Sequence, residues 1–268
     1  NGLPPKLLLG FSFSLSLRRG GRTPVVEEQV RVALVELRLG LVEHVHDVVV
    51  VPPPDARAEV AAVGRVVAVQ AVADVVGDGS TADKHSGHGT HVACTVLGDG
   101  SRGGYAGVAP QAELIFQAME NDNTGNFVSP SLNYLLNSAY NAGARIHTNS
   151  WGSSATSTQG EYTSEAEAVD DRSFNYDKVS NGQEGLTILF AAGNDGPNPG
   201  TVGSPSTAKN VVTVGNHQAR YNGAPDNLMS GSSRGPTDDG RIKPDIIAPG
   251  GYVRSCRAQE AQDTGGSS

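Results

Sequence analysis

A strongly apolar run, Leu186-Thr187-Ile188-Leu189-Phe190-Ala191-Ala192, stops abruptly on Gly193-Asn194-Asp195-Gly196. Apolar residues on both faces of so short a run describe a strand buried on both sides. Gly64 to Val69 reads the same way, as do Arg145 to Ser150 and Val211 to Val214. Between them lie helical patterns. Residues 88–98 look helical, and a polar helical stretch spans about 161–179. Ser131 caps a helix through Leu132, Leu135, Leu136, Ala139 and Tyr140, which Gly143 ends. Strands alternating with helices imply an α/β domain whose parallel sheet is covered on both faces. In such sheets reactive groups collect beyond the carboxyl ends of the strands.

The pattern does not begin at the start of the chain. Residues 1–76 hold nineteen valines, one threonine (Thr23), one lysine (Lys6), one asparagine (Asn1) and no tyrosine. Beyond them all seven tyrosines appear, and Asn, Thr and Ser become common. Runs such as Val48-Val49-Val50-Val51-Pro52-Pro53-Pro54 have neither helical nor strand logic. The organisation read from this is an atypical segment at 1–63, followed by the patterned α/β domain at 64–268. The first segment is propeptide-like, an unrelated small domain, or a stretch read in the wrong frame.

Composition excludes several functions. A formal net charge of −8 supplies no basic footprint for nucleic acid or anionic lipid. No apolar run is long enough to span a bilayer as a helix. Leu7-Leu8-Leu9-Gly10-Phe11 is short and is followed by Arg18-Arg19, which is not the layout of a secretory signal. Cys94 and Cys256 form no disulfide framework and match no zinc spacing; a pair and two buried thiols both remain open.

Four segments carry chemistry. In Ser86-Gly87-His88-Gly89-Thr90-His91-Val92-Ala93 a glycine-flanked histidine at a helix start suits a general base. Alone, it would read as a surface loop residue. His85, His88 and His91 recur every third residue, but metalloprotease helices place two ligands four apart around a glutamate. Asn194, at the end of the apolar strand, could donate to an oxyanion, although Asn-Asp-Gly also suits a plain turn. Thr148-Asn149-Ser150-Trp151-Gly152 could offer backbone groups to an extended peptide. The fourth is Ser232-Ser233-Arg234-Gly235-Pro236 with Lys243 to Gly250.

In this order the segments resemble the subtilisin-like serine proteases, the subtilases (peptidase family S8), and most nearly the bacterial alkaline ones. The resemblance covers about residues 64–268. It implies a subtilisin-like three-layer α/β domain, with a mainly parallel sheet flanked by helices and its C-terminal part missing. His88 would be the general base and Asn194 would complete the oxyanion hole. Ser150, Trp151 and Gly152 would form one wall of the S1 pocket, and Ala191, Ala192 and Gly193 the other. Pro205 matches a position that often carries a cis peptide. The implied activity is a secreted, extracellular serine endopeptidase acting as a monomer on polypeptides, with no nucleic-acid or membrane partner. The chemistry requires no cofactor. Structural calcium is compatible with the family; Asp195 and Asp238-Asp239 are candidates, and the metal ligands stay unassigned.

Three departures follow. No Asp-Ser-Gly or Asp-Thr-Gly precedes His88; Asp47 has the right separation but is followed by valines, and Asp74 ends a strand too near His88. The nucleophile belongs in Gly-Thr-Ser-Met-Ala. Aligning Gly266-Ser267-Ser268 with Gly-Thr-Ser nominates Ser268, whereas running Tyr252 to Asp263 directly after Ala-Pro-Gly puts the nucleophile past the last residue. In that second register the isolated chain is expected to be poorly stable and inactive. Finally, Cys94 replaces a family glycine, which implies an enlarged core or a thiol beneath His88. The competing functions are a non-catalytic subtilase-like peptide-binding domain and a metal hydrolase using the three histidines.

Overall fold

A computed structural model describes residues 12–16, 69–74, 77–80, 84–100, 106–110, 112–142, 144, 146–177, 186–219 and 227–256. The elements run β1 (Ser12–Ser16), β2 (Val69–Asp74), α1 (His88–Leu97), β3 (Glu113–Ala118), β4 (Glu120–Asn121), β5 (Asn126–Phe127), α2 (Leu132–Asn141), β6 (Ile146–Asn149), α3 (Ser164–Asp177), β7 (Thr187–Ala191), β8 (Val212–Gln218) and β9 (Ile246–Gly251). A short 3-10 turn, Thr156–Thr158, precedes α3.

Seven strands form one sheet in the order β2-β3-β1-β6-β7-β8-β9, and β4 pairs with β5 in a separate hairpin. Strand β2 pairs parallel with β3, and β6 through β9 pair parallel in succession. Among the described strands of this sheet, only β1 runs against its neighbours, antiparallel to both β3 and β6, with Ser12 opposite Gln117 and Asn149. The carboxyl ends of the six parallel strands therefore lie along one edge.

Two clusters bury the two faces. Alternation along β3 sends Leu114, Phe116 and Ala118 to one face, where Ala93, Cys94 and Leu97 of α1 pack. Ile115 and Met119 go to the other, against Leu132, Leu135, Leu136 and Ala139 of α2, Ala166 and Val169 of α3, and Ile188 and Phe190 of β7. The result is helix, sheet, helices: the three layers expected.

The helices follow their sequence cues. In α1, Gly89, Thr90, Ala93, Cys94 and Leu97 are buried, one face at helical spacing. Helix α2 buries Leu132, Leu135, Leu136, Ala139 and Tyr140, and the Ser131 hydroxyl accepts from the Tyr134 amide at 3.3 Å. It ends at Asn141, and Gly143 lies outside the described residues. Glu165 and Glu167 occupy the first turn of α3, where the helix dipole favours negative charge. The early strand is seen from Val69 to Asp74, with 64–68 outside the described residues. Strand β8 runs on to Gln218, past the expected Val214.

The cysteines resolve into a pair. Cys94 of α1 is bonded to Cys256, 162 residues later, with Cα atoms 5.7 Å apart. No thiol lies beneath His88; the residue that replaces the family glycine is one end of a staple. The staple is part of a strap. The His91 ring Nε2 lies 3.3 Å from the Val253 carbonyl, and the Ser255 hydroxyl donates to the His91 carbonyl at 2.6 Å. Residues 253–256 thus run along α1 just after its first turn.

Candidate active site

His88 opens α1, and its loop is tied to the carboxyl end of β3. Gly87 takes a left-handed conformation (φ 67°) that lets the chain turn into the helix, a backbone shape glycine adopts without a Cβ penalty. Two residues earlier the loop meets Glu120, immediately past β3. Its carboxylate accepts from the His85 amide at 2.9 Å and the Ser86 amide at 3.1 Å. The Ser86 hydroxyl in turn accepts from the His88 amide at 3.2 Å. The general-base candidate therefore sits at the carboxyl edge of the sheet, half-buried.

Asn194 reaches the same edge from β7. Beyond Ala191 the strand is extended by the Ala192 amide, which donates to Val214 O at 2.9 Å. The chain then turns at Gly193 (φ 110°) and docks on 230–233: Ser233 N donates to Gly193 O, the Asp195 amide to the Ser233 hydroxyl, and Gly196 N to Gly231 O, each at 3.0 Å. A Cβ at Gly193 would meet the Ser233 hydroxyl at 2.8 Å, so the turn requires glycine for space as well as conformation. Docking fixes the backbone and leaves the Asn194 side chain exposed. In the sheet order β3-β1-β6-β7, the strands that lead to Glu120 and to Asn194 flank β1 and β6. At about 4.8 Å per strand, β3 and β7 lie roughly 14 Å apart along this edge.

Ser150-Trp151-Gly152 leaves β6 within that span. Trp151 turns into the core against Phe190 (ring centroids 5.3 Å, edge-on) and Phe127 (5.7 Å). Its indole supports the wall from behind instead of lining it. Ser153 N donates to Ser204 O at 2.8 Å, which lays 152–153 beside 203–204. A Cβ on Gly203 would come within 2.2 Å of Ser153 O, so the approach depends on that glycine. The Ser204–Pro205 bond is cis, as the family position suggested. On the other side, the Ser206 hydroxyl donates to Ala191 O at 2.5 Å. The segment 203–206 thus touches both expected walls.

The three regularly spaced histidines do not converge. The His85 ring Nε2 engages the Asp122 carbonyl at 3.0 Å on the β4–β5 hairpin, while His91 is drawn to the strap. Burial lowers the pKa of His91, opposed by its contact with Val253 O. Among the described residues no three His, Cys, Asp or Glu side chains are grouped to hold a metal ion. Of the calcium candidates, Asp239 is held down to about 2 by Arg241 and then Thr237, and Asp195 enters the docking contact through its backbone.

Asp47 and Ser268 lie outside the described residues. Asp74 ends β2 at the carboxyl edge, paired with Ala118, on the outermost strand. The sequence reading missed β3 and Glu120. The available signal was Leu114-Ile115-Phe116 and Ala118-Met119, a short apolar stretch interrupted by Gln117 and ending before the acidic Glu120.

Residues 53–268 match the model of the Subtilase family, a match that begins inside the segment set apart by composition. The chain is 29% identical over 261 residues to the serine protease/ABC transporter B family protein tagD of Dictyostelium discoideum, covering 68% of this chain and 14% of that one. It is 30% identical over 231 residues to serine protease AprX of Bacillus subtilis (strain 168), covering 82% of this chain and 48% of the relative. The chain thus spans about half of AprX and a far smaller part of tagD. Among solved structures, the self-cleaved protease domain of PatA shares the fold, with a TM-score of 0.51 at 23% identity over 71% of this chain and 62% of that one.

Proposed function

The chain belongs to the subtilase family, and from that premise we propose that the protein it comes from is a secreted serine endopeptidase acting on polypeptides as a monomer. A serine hydroxyl attacks the scissile carbonyl, and His88 takes its proton and passes it to the leaving amine. The Asn194 carboxamide donates to the oxyanion. Water then releases the acyl group by the same route. Extended substrate lies along Ser150-Trp151-Gly152, with its P1 side chain between that segment and Ala191-Ala192-Gly193. Small residues on both walls suit broad acceptance of fairly large apolar P1 groups. The nucleophile is a serine in a Gly-Thr-Ser context, for which Ser268 is the candidate within the chain. Calcium, if bound, is structural and takes no part in a step.

One observation supports the reading: Glu120, which anchors the His88 loop, follows the carboxyl end of β3, and the Asn194 turn, docked on Ser233, follows the carboxyl end of β7, on the same edge of the sheet. The test is a fluorophosphonate probe on the full-length protein, with a His88→Ala variant beside it. Covalent labelling of the wild type, lost in the variant, is the expected result. A protein that binds peptides but takes no label is instead a non-catalytic relative, which the absence of a carboxylate from Ser12–Ser16 favours. Labelling that survives chelators also separates the reading from a metal hydrolase.

A further inference from the structure

Glu120 is only 2% exposed, and a carboxylate so buried is tolerated only when its oxygens are hydrogen-bonded. Both are, by consecutive backbone amides: His85 N on Oε1 and Ser86 N on Oε2. Those amides lie three and two residues before His88. Ser86 passes the constraint on, because its hydroxyl accepts from His88 N, and Gly87 between them is held in its left-handed turn. The neighbouring hairpin closes the other flank: Lys84 pairs with Asp122 at 3.7 Å, the Ser80 hydroxyl bonds the Asp122 carboxylate, and Asp78 accepts the Asp122 amide at 2.6 Å. The loop that presents His88 is thus gripped by the chain leaving β3, with one carboxylate as the principal contact.

We propose that Glu120 is the positioning residue for His88, setting through the amides of His85 and Ser86 the backbone from which the imidazole projects. The proposal rests on His88 being the general base. A carboxylate is required because both atoms meeting the loop must accept. Glutamine keeps one acceptor and turns an NH2 donor toward the second amide, and alanine removes the acceptor from both, one of them buried.

The experiment uses the full-length protein and four chains: wild type, Glu120→Gln, Glu120→Ala and Asp170→Ala. Asp170 is a buried carboxylate in α3 that accepts from the Tyr162 hydroxyl, Lys209 N and Asn210 N, so its loss is a comparable structural injury outside the proposed machinery. Each is assayed on a peptide substrate, and for its rate of fluorophosphonate labelling, at a temperature where circular dichroism shows it folded. Displacement of a catalytic group by about 1 Å costs on the order of 10²-fold, so Glu120→Ala should lose about that in kcat, with KM within about threefold of wild type. Glu120→Gln should fall between, and Asp170→Ala should keep wild-type kcat. A folded Glu120→Ala with wild-type kcat overturns the proposal, as does an equal loss in Asp170→Ala. If Glu120→Ala does not fold, Glu120→Gln decides by the same criterion. A wild type that takes no label sinks the protease reading and this proposal together, whereas a labelled wild type matched by Glu120→Ala sinks the proposal alone.

Discussion

Acid should destabilise this protein through one side chain in its core. His147 on β6 is fully buried, with its Nε2 3.1 Å from Gln117 Oε1. Gln117 spends its amide protons on α2, donating to Leu135 O at 3.1 Å and to the Ser138 hydroxyl at 2.9 Å. That orientation leaves Oε1 as an acceptor, so the histidine is the donor in its neutral Nε2–H form. Burial lowers the pKa of His147 to about 3, opposed by a hydrogen bond with Asn149. Because the folded value lies below the unfolded one, the unfolded chain binds the proton first. Stability is then complete above about pH 6.5 and is lost as the pH falls from there toward 3. Each pH unit costs about 1.4 kcal/mol, so going from pH 7 to 4.5 removes about 2.5 kcal/mol through this residue. The assay is urea unfolding of the full-length protein, blocked with a serine reagent, at both pH values for wild type and His147→Gln. Carboxylates that also respond to acid contribute equally to both chains and cancel. Wild type should lose about 2.5 kcal/mol more than the variant; pH dependences that agree within about 0.5 kcal/mol would refute the assignment.

Three further outcomes follow from single contacts. Replacing Cys94 and Cys256 together by Ser opens a loop of 162 residues, and loop-closure entropy puts the loss at about 5 kcal/mol. Non-reducing urea midpoints check it, and an unchanged midpoint rules out the pair. Gly193→Ala forces a Cβ to within 2.8 Å of the Ser233 hydroxyl at a positive φ, which should cost about 1–3 kcal/mol and slow fluorophosphonate labelling, since Asn194 is next in the chain. Asp170→Ala removes the acceptor of three hydrogen bonds, and calorimetry should register a loss of at least about 3 kcal/mol, with kcat preserved below the transition.

What the sequence displayed and what it hid divide along a physical line. Helix α2 was legible because its cap, Ser131, and its buried face, Leu132 to Tyr140, are local patterns, and β7 because an unbroken apolar run needs burial wherever it lies. Strand β3 was hidden by Gln117, which belongs in the core only because His147 and α2, distant in the chain, take up its amide. Glu120 was hidden for the same reason: an acidic residue reads as surface until the two amides that satisfy it are known. The Cys94–Cys256 pairing depends on the strap lying along α1, which no spacing rule reports. Local periodicity was readable, and polar groups satisfied across the fold were not.

One place in the sheet departs from the rule that the other strands obey. Strands β2, β3, β6, β7, β8 and β9 all point the same way, whereas β1 enters between β3 and β6 reversed on both sides. Reversal puts its first residue, Ser12, at the reactive edge, beside Gln117 and Asn149. A parallel strand in that slot would deliver its last residue there, between the chain that leads to Glu120 and the wall at Ser150, next to the His88 loop. Ser12–Ser16 contains no acidic residue, and it falls within the stretch whose composition breaks from the rest. Were the residues ahead of the family match, 1–52, read in the wrong frame, the natural chain would fill the slot with a parallel strand ending in Asp, then Ser or Thr, then Gly. Peptide mass mapping of the natural protein decides this. The expected spectrum then lacks the valine-rich peptides of 25–51 and contains one with Asp-Ser-Gly or Asp-Thr-Gly. Intact valine-rich peptides would rule this out and leave Asp47 and Asp74 as the candidates to orient His88. Should neither reach the ring, the rate would be lower by about 10⁴-fold, the loss seen in serine proteases whose orienting carboxylate is removed.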